Sequence, residues 1–314
     1  MRPRFRRLSS LVLLTSMLGA GAALWAAGAQ DPAAYRKEIE AWRKERADGL
    51  RKEDGWLTLV GLYWLVPGAN RFGSNPGNPV ILPADKSPTF AGSLNLEAGQ
   101  VKVTAQPGVA LTADGKPVTP GLVLKSDAEK GGPTVLKLGS LSFFVIDRGG
   151  KFGVRVKDSQ SPALASFKGL DNYPIRPDWR VAARFEPYKD KKIAIANIIG
   201  QIDQVESPGA VVFQWKGKTY RLDAIGGSPE EGFFLVFGDQ TNGKETYGAG
   251  RFLDTGPAKD GKVVVDFNTA YNPPCAFTAF ATCPLPPKQN KLALRIDAGE
   301  KKFAGGPEHV AGHP

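Results

Sequence analysis

Beyond residue 30, apolar side chains recur at helical spacing in one stretch, where Tyr35, Ile39, Trp42 and Leu50 stand among Lys, Arg and Glu. A stripe with that period predicts an amphipathic helix whose apolar face packs on the protein behind it. Asp31 and Pro32 supply a capping side chain followed by a proline at the first helical position, and Asp54-Gly55 supply the stop. The helix is therefore expected over 31–53.

From Trp56 the period shortens. Short apolar runs broken by Gly, Pro and Asn predict strands at 57–65, 78–82, 93–96, 100–104, 109–112, 121–124, 134–138, 141–147 and 153–157. They predict a β-sandwich domain over 55–158. A polar, proline-marked segment, 159–180, then connects to a second β-rich domain over 181–303, and residues 304–314 read as a flexible tail. Strands in the second domain are expected at 181–186, 193–200, 210–215, 218–224, 232–238, 244–253, 262–268 and 292–297. Asn242-Gly243 between alternating runs is the strongest hairpin signal in the chain, and it predicts an antiparallel meander of 232–241, 244–253 and 262–268. The fold class expected is all-β: two antiparallel, sandwich- or barrel-like halves behind one N-terminal amphipathic helix.

Composition agrees, since 37 Gly and 25 Pro among 314 residues fit many short strands joined by turns. The net charge of +10 includes four arginines, Arg2, Arg4, Arg6 and Arg7, in a leader without acids. The uncharged run from Leu8 to Ala29 and the Ala27-Gly28-Ala29 site make residues 1–29 an expected signal peptide, so the chain is expected to be exported, to a periplasmic or extracellular place. An uncleaved leader would be its one route to a membrane. The remaining Lys and Arg are scattered among acids, which argues against nucleic acid as a partner. The two histidines, His309 and His313, both lie in the tail. That excludes a nucleophilic triad or a histidine-built zinc or haem site inside the fold, and no cofactor is expected.

On the expected meander, Glu245, Tyr247 and Arg251 share one face, and Asp266 and Asn268 come opposite them from the next strand. The stretch that follows holds both cysteines and five prolines, and is expected to fold over that face so that the two enclose a common hollow. The turn 239–245 has oxygen-bearing side chains at alternating positions, yet a plain hairpin turn explains it better than a metal site. Cys275 and Cys283, an even pair in an exported chain, are expected to form a disulfide.

The runs YNPPCAF and ATCPLPP, then Asn290-Lys291-Leu292 and Ala298-Gly299-Glu300, preceded by FGDQTNGKETYGAGRFL and VDFN, resemble an uncharacterised family of bacterial and archaeal proteins classed as a domain of unknown function. The resemblance implies a shared fold and site without supplying an activity. In the first half, PGANRFGS with NPVILP, the turn Asp114-Gly115 and LKLGSLSFFVI resemble the layout of a forkhead-associated β-sandwich. That resemblance implies architecture alone, because a phosphothreonine reader needs a Ser/Arg/His set.

These readings lead to an expected function: binding of a small polar or anionic ligand by the C-terminal domain. Arg251 would supply charge, with Tyr247, Asn268, Tyr271, Asn272 and Asn290 lining the site. The alternatives are a hydrolase using Glu245 and Asp266 as general acid and base, and an envelope interaction module without a pocket.

Overall fold

The computed structural model describes residues 31–307. The expected signal peptide and residues 308–314 of the expected tail lie outside the described residues. The chain is predominantly β, with one long N-terminal helix followed by several mostly antiparallel sheets in two β-rich regions. Helix α1 spans Pro32–Arg51, and Asp31 caps it by accepting from the Ala33 N–H at 3.2 Å. Its stripe packs as expected, but on the C-terminal half of the chain: Tyr35 and Ile39 are buried with Ile175, and the Trp42 ring lies 6.3 Å from that of Tyr271.

The first region is two sheets around one core. A six-stranded sheet runs in the order Leu59–Trp64, Lys151–Asp158, Leu141–Arg148, Leu136–Leu138, Thr112–Ala113, Lys116–Pro117. A five-stranded sheet runs Val80–Ile81, Gly68–Gly73, Gly92–Glu97, Gln100–Ala105, Leu122–Leu124. Inward side chains of both, among them Phe72, Leu94, Val103, Phe143 and Val156, form one buried cluster. The strand Gly68–Gly73 escapes the pattern reading because Gly68, Asn70 and Gly73 look like turn residues. Asn70 is nevertheless buried in it, donating to the Val66, Gly68 and Leu94 carbonyls at 2.7, 3.0 and 3.3 Å.

The second region sets a four-stranded sheet, in the order Lys218–Asp223, Ile202–Trp215, Arg180–Ala196, Lys262–Asp266, against a three-stranded one of Gly227–Ser228, Gly232–Phe237 and Arg251–Asp254. Phe185, Phe213, Val263 and Val265 from the first and Phe233, Leu235, Phe237 and Leu253 from the second share a core with Trp179. Strands expected separately at 181–186 and 193–200 are one strand of 17 residues. The intervening polar run reads as a turn, but the ladder to Ile202–Trp215 continues through an irregularity between Pro187 and Lys191.

Two further expectations need correction. The meander is not built: Lys262–Asp266 pairs with Arg180–Ala196, whereas Arg251–Asp254 pairs with Gly232–Phe237. Residues 244–250 form no strand, because the Thr241 carbonyl gathers the N–H groups of Lys244, Glu245 and Thr246 at 3.2, 3.0 and 3.2 Å and winds the chain up locally. Residues 292–297 form no strand. Leu292, Leu294 and Ile296 are buried alternately as their pattern requires, but that segment meets the sheet through single bonds such as Leu292 N–H to the Gly238 carbonyl at 2.8 Å.

A third cluster lies where the helix, the connecting segment and the cysteine loop meet. It includes Leu50, Leu57, Phe167, Ile195, Tyr247, Phe252, Cys275, Phe277 and Cys283. This junction brings Tyr247 together with both cysteines.

Candidate functional site

The turn after strand Gly232–Phe237 is knotted by side chains. Asp239 accepts from the Thr241 N–H and hydroxyl, both at 2.6 Å, and Asn242 donates to the Thr246 hydroxyl at 3.0 Å and the Tyr247 carbonyl at 2.8 Å. Gly243 sits at φ +79°. Gly250 sits at φ +97°, and a Cβ there would come within 2.5 Å of the Pro286 ring and 2.7 Å of the Phe237 carbonyl. Only glycine allows the loop 238–250 to close against the proline-rich stretch.

Between them is an open cavity of about 1440 Å³. Asp239, Gln240, Asn242 and Tyr247 line it from the turn, Ala276, Leu285 and Pro286 from the cysteine loop, and Lys291, Lys302 and Phe303 from the last segments. Tyr247 is buried, and loss of solvent, followed by the nearby Cys275 and Cys283, pushes its phenol far above the ordinary value. It stays a neutral phenol. The turn and the cysteine stretch thus border one hollow, and Tyr247 is the expected site residue that lines it.

The other expected site residues lie elsewhere, for identifiable reasons. Arg251 is wholly buried and ion-paired with the equally buried Asp239 at 2.5 Å. Its remaining bonds go to the Ala298 carbonyl and, at 3.0 Å, to the Ile296 carbonyl. The expectation that Arg251 presents charge to a ligand is corrected accordingly. Glu245 is held by Arg295 at 2.6 and 2.8 Å and by the Tyr173 hydroxyl at 2.9 Å. Those bonds, Arg295 first, bring its carboxyl down to about 2, while burial and Glu245 push the Tyr173 phenol up to about 12.

Asp266 is on a different sheet, accepting from the Tyr35 hydroxyl at 3.0 and 2.8 Å and pairing with Arg180 at 3.5 Å. Asn268 bridges Asp266, Tyr35 and the Arg176 backbone, so both residues anchor helix α1. Glu245 and Asp266 therefore do not share a face, which corrects the pairing expected from the meander. Asn290 links the Asp223 backbone N–H and carbonyl to the Val236 carbonyl at 2.8, 2.8 and 2.9 Å. Asn272 donates from its amide nitrogen to the Lys301 carbonyl at 2.7 Å. Tyr271 donates to Asp254 at 2.8 Å and lines a second, smaller cavity.

Glu300 is fully buried beneath this region. It accepts from Arg46 of the helix at 3.0 Å and from the Asn272 N–H at 2.8 Å, and burial raises its carboxyl while Arg46 opposes that rise. Cys275 and Cys283 are buried thiols set face to face, each sulfur accepting the other residue's backbone N–H, at 3.3 and 3.1 Å respectively. Burial, then the neighbouring Cys275, pushes the Cys283 thiol up; the hydrogen bond shared with Cys283 lowers that of Cys275. No group of three or more His, Cys, Asp or Glu side chains positioned to hold a metal occurs among the described residues. Nor is any helix among them long and apolar enough to cross a membrane.

Pattern reading misses Asp239, Lys291 and Lys302 as lining residues. Asp239 looks like a turn former, and an exposed lysine in a loop has no periodic signature.

A predominantly β chain with an open cavity bordered by the 238–250 turn and the cysteine loop is the class these features define. Residues 165–301 match the model of a family described as a protein of unknown function (DUF1684). The resemblance to an uncharacterised family is supported at that level. An uncharacterized protein of Haloarcula marismortui, solved in solution by NMR, is 29% identical over 44% of this chain and 78% of its own, with a TM-score of 0.36. A forkhead-associated domain from a study of phosphothreonine-dependent interactions is 15% identical over 32% of this chain and 96% of its own, with a TM-score of 0.22. No curated protein matches.

Proposed function

We propose that this chain binds a small polar or anionic ligand in the cavity between the 238–250 turn and the cysteine loop. The observation carrying this reading is the charge balance of the lining. Asp239 is already neutralised by Arg251, whereas Lys291 and Lys302 line the same hollow with no ion-pair partner among the described residues. An entering anion would meet two uncommitted cations, a neutral phenol and apolar walls from Leu285, Pro286 and Phe303.

Binding is preferred to hydrolysis because Glu245 and Asp266 are each committed to partners on separate elements, and neither lines the cavity. A general acid and base must reach one substrate.

Isothermal titration with inorganic phosphate and with short mono- and dicarboxylates tests the reading. Saturable binding is expected, with each of Lys291→Gln and Lys302→Gln weakening it about 2- to 5-fold, as exposed charges contribute roughly 0.5–1 kcal/mol. Heats that never saturate, or affinities unmoved in both variants, would contradict it.

Export remains part of the proposal, as does the division into domains at 55–158 and 181–303. Sequencing the N-terminus of chain recovered outside the cytoplasm should give Gln30 as the first residue. Intact chain confined to the cytoplasm would exclude export. We further infer that YNPPCAF, ATCPLPP and the Ala298-Gly299-Glu300 run mark a site common to the matched family, since they border or support this cavity.

A further inference from the structure

The second cavity, about 520 Å³, has a different chemistry. Five aromatic residues line it: Trp42 from helix α1, Trp56 just after the helix, Phe234 and Phe252 from the three-stranded sheet, and Tyr271 from the segment leading to the cysteines. The rings brace one another. Phe252 meets Phe234 edge-on at 5.0 Å and Tyr271 edge-on at 5.8 Å, and Trp42 is tilted 51° against Tyr271. Glu45 and Asp254 join the lining, both exposed. Asp254 accepts the Tyr271 hydroxyl through one carboxylate oxygen, and neither carboxylate has an ion-pair partner among the described residues.

The remaining charged lining residue, Arg46, is spent. Its guanidinium donates to Glu300 at 3.0 Å and to the Asn272 carbonyl at 2.9 Å, while lying 4.9 Å over the Tyr271 ring. Two other cations approach from the N-terminal half, Arg155 at 5.4 Å and Lys157 at 5.8 Å over Trp56. Lys157 donates to the Asp54 carbonyl and Arg155 to the Thr282 hydroxyl at 3.2 Å. These cations oppose a positive ligand on the Trp56 side. The Trp42 and Asp254 side carries the two unpaired carboxylates, and the one cation there, Arg46 over the Tyr271 ring, is balanced by Glu300.

We propose that this aromatic, acid-rimmed cavity is a second ligand site, and that it takes a small organic cation of the quaternary or tertiary ammonium type. Ring faces attract a soft cation, and carboxylates at the rim complete the neutralisation. A hydrated metal ion would need oxygen ligands in place of rings. The site is independent of the anion-binding reading, being built from different residues.

Tryptophan fluorescence of the full chain, titrated with tetramethylammonium and with choline at constant ionic strength, reads the proposal directly. A saturable change is expected for both, and none for 3,3-dimethyl-1-butanol, a neutral molecule of the choline shape. Trp42→Leu should weaken binding about 3- to 30-fold, the span of one cation–ring contact. Glu45→Gln, at an exposed helical position that leaves the fold intact, should weaken it less but measurably. An unsaturable response, an equal response to the neutral alcohol, or an affinity unchanged in both variants would overturn the assignment.

Discussion

Arg251 and Asp239 show how a polar sequence can mislead at the scale of single residues. Their charges are legible in the chain, but burial decides what they do, and burial follows from the path of a turn that no local pattern specifies. Both side chains are fully enclosed, so removing one partner leaves an uncompensated charge inside the protein. Asp239→Asn or Arg251→Met should cost roughly 3–5 kcal/mol in urea unfolding; a loss below about 1 kcal/mol would mean that water reaches the pair. Glu245 makes the opposite case. Arg295 and Tyr173 depress its carboxyl from an ordinary 4.5 to about 2. A depressed acid contributes stability that is present above the unfolded value and is lost as pH falls from about 4.5 towards 2. The difference in melting temperature between wild type and Glu245→Gln should therefore be largest near neutrality and shrink through that window. A pH-independent difference would rule out the ionised pairing.

At the scale of elements, helix α1 was readable from end to end because period, cap and stop agree in the sequence. Its docking surface was not, because Asp266, Asn268 and Glu300 lie more than 200 residues away. The expected meander failed for a related reason. Alternation at 244–253 specifies sides, not partners, and Gly248, Gly250 and the Asp239–Asn242 hydrogen bonds favour a wound turn over a ladder. Cutting the Arg46 to Glu300 tether with Glu300→Ala should loosen the C-terminal end of the helix while Tyr35 stays held by Asp266 and Asn268. Hydrogen exchange would then show lost protection across 46–51 before the sheets respond, whereas uniform exchange across the chain would deny that end a separate anchor. The facing cysteines allow a closed loop of residues 275–283. If oxidised, it would add about 2.5 kcal/mol by the loop-entropy relation. Alkylation without reductant of chain recovered from outside the cytoplasm should leave both cysteines unlabelled, and two alkylated thiols would exclude the bridge.

For the whole molecule, the division into two β-rich regions behind a helix was legible, since turn residues at regular spacing need only local information. Which strands pair across the second region was not, as the order of its four-stranded sheet brings Lys262–Asp266 beside Arg180–Ala196. The cavity inherits that limit. Of the residues expected on one meander face Tyr247 lines it, while Lys291 and Lys302 join it only through the final fold. Native mass spectrometry of the protein purified from its own host asks whether that cavity holds a ligand. The wild-type protein should carry a small anionic species that departs on activation and is depleted in a variant combining Lys291→Gln and Lys302→Gln. A bare wild-type mass, or an adduct retained undiminished in the double variant, would contradict the account.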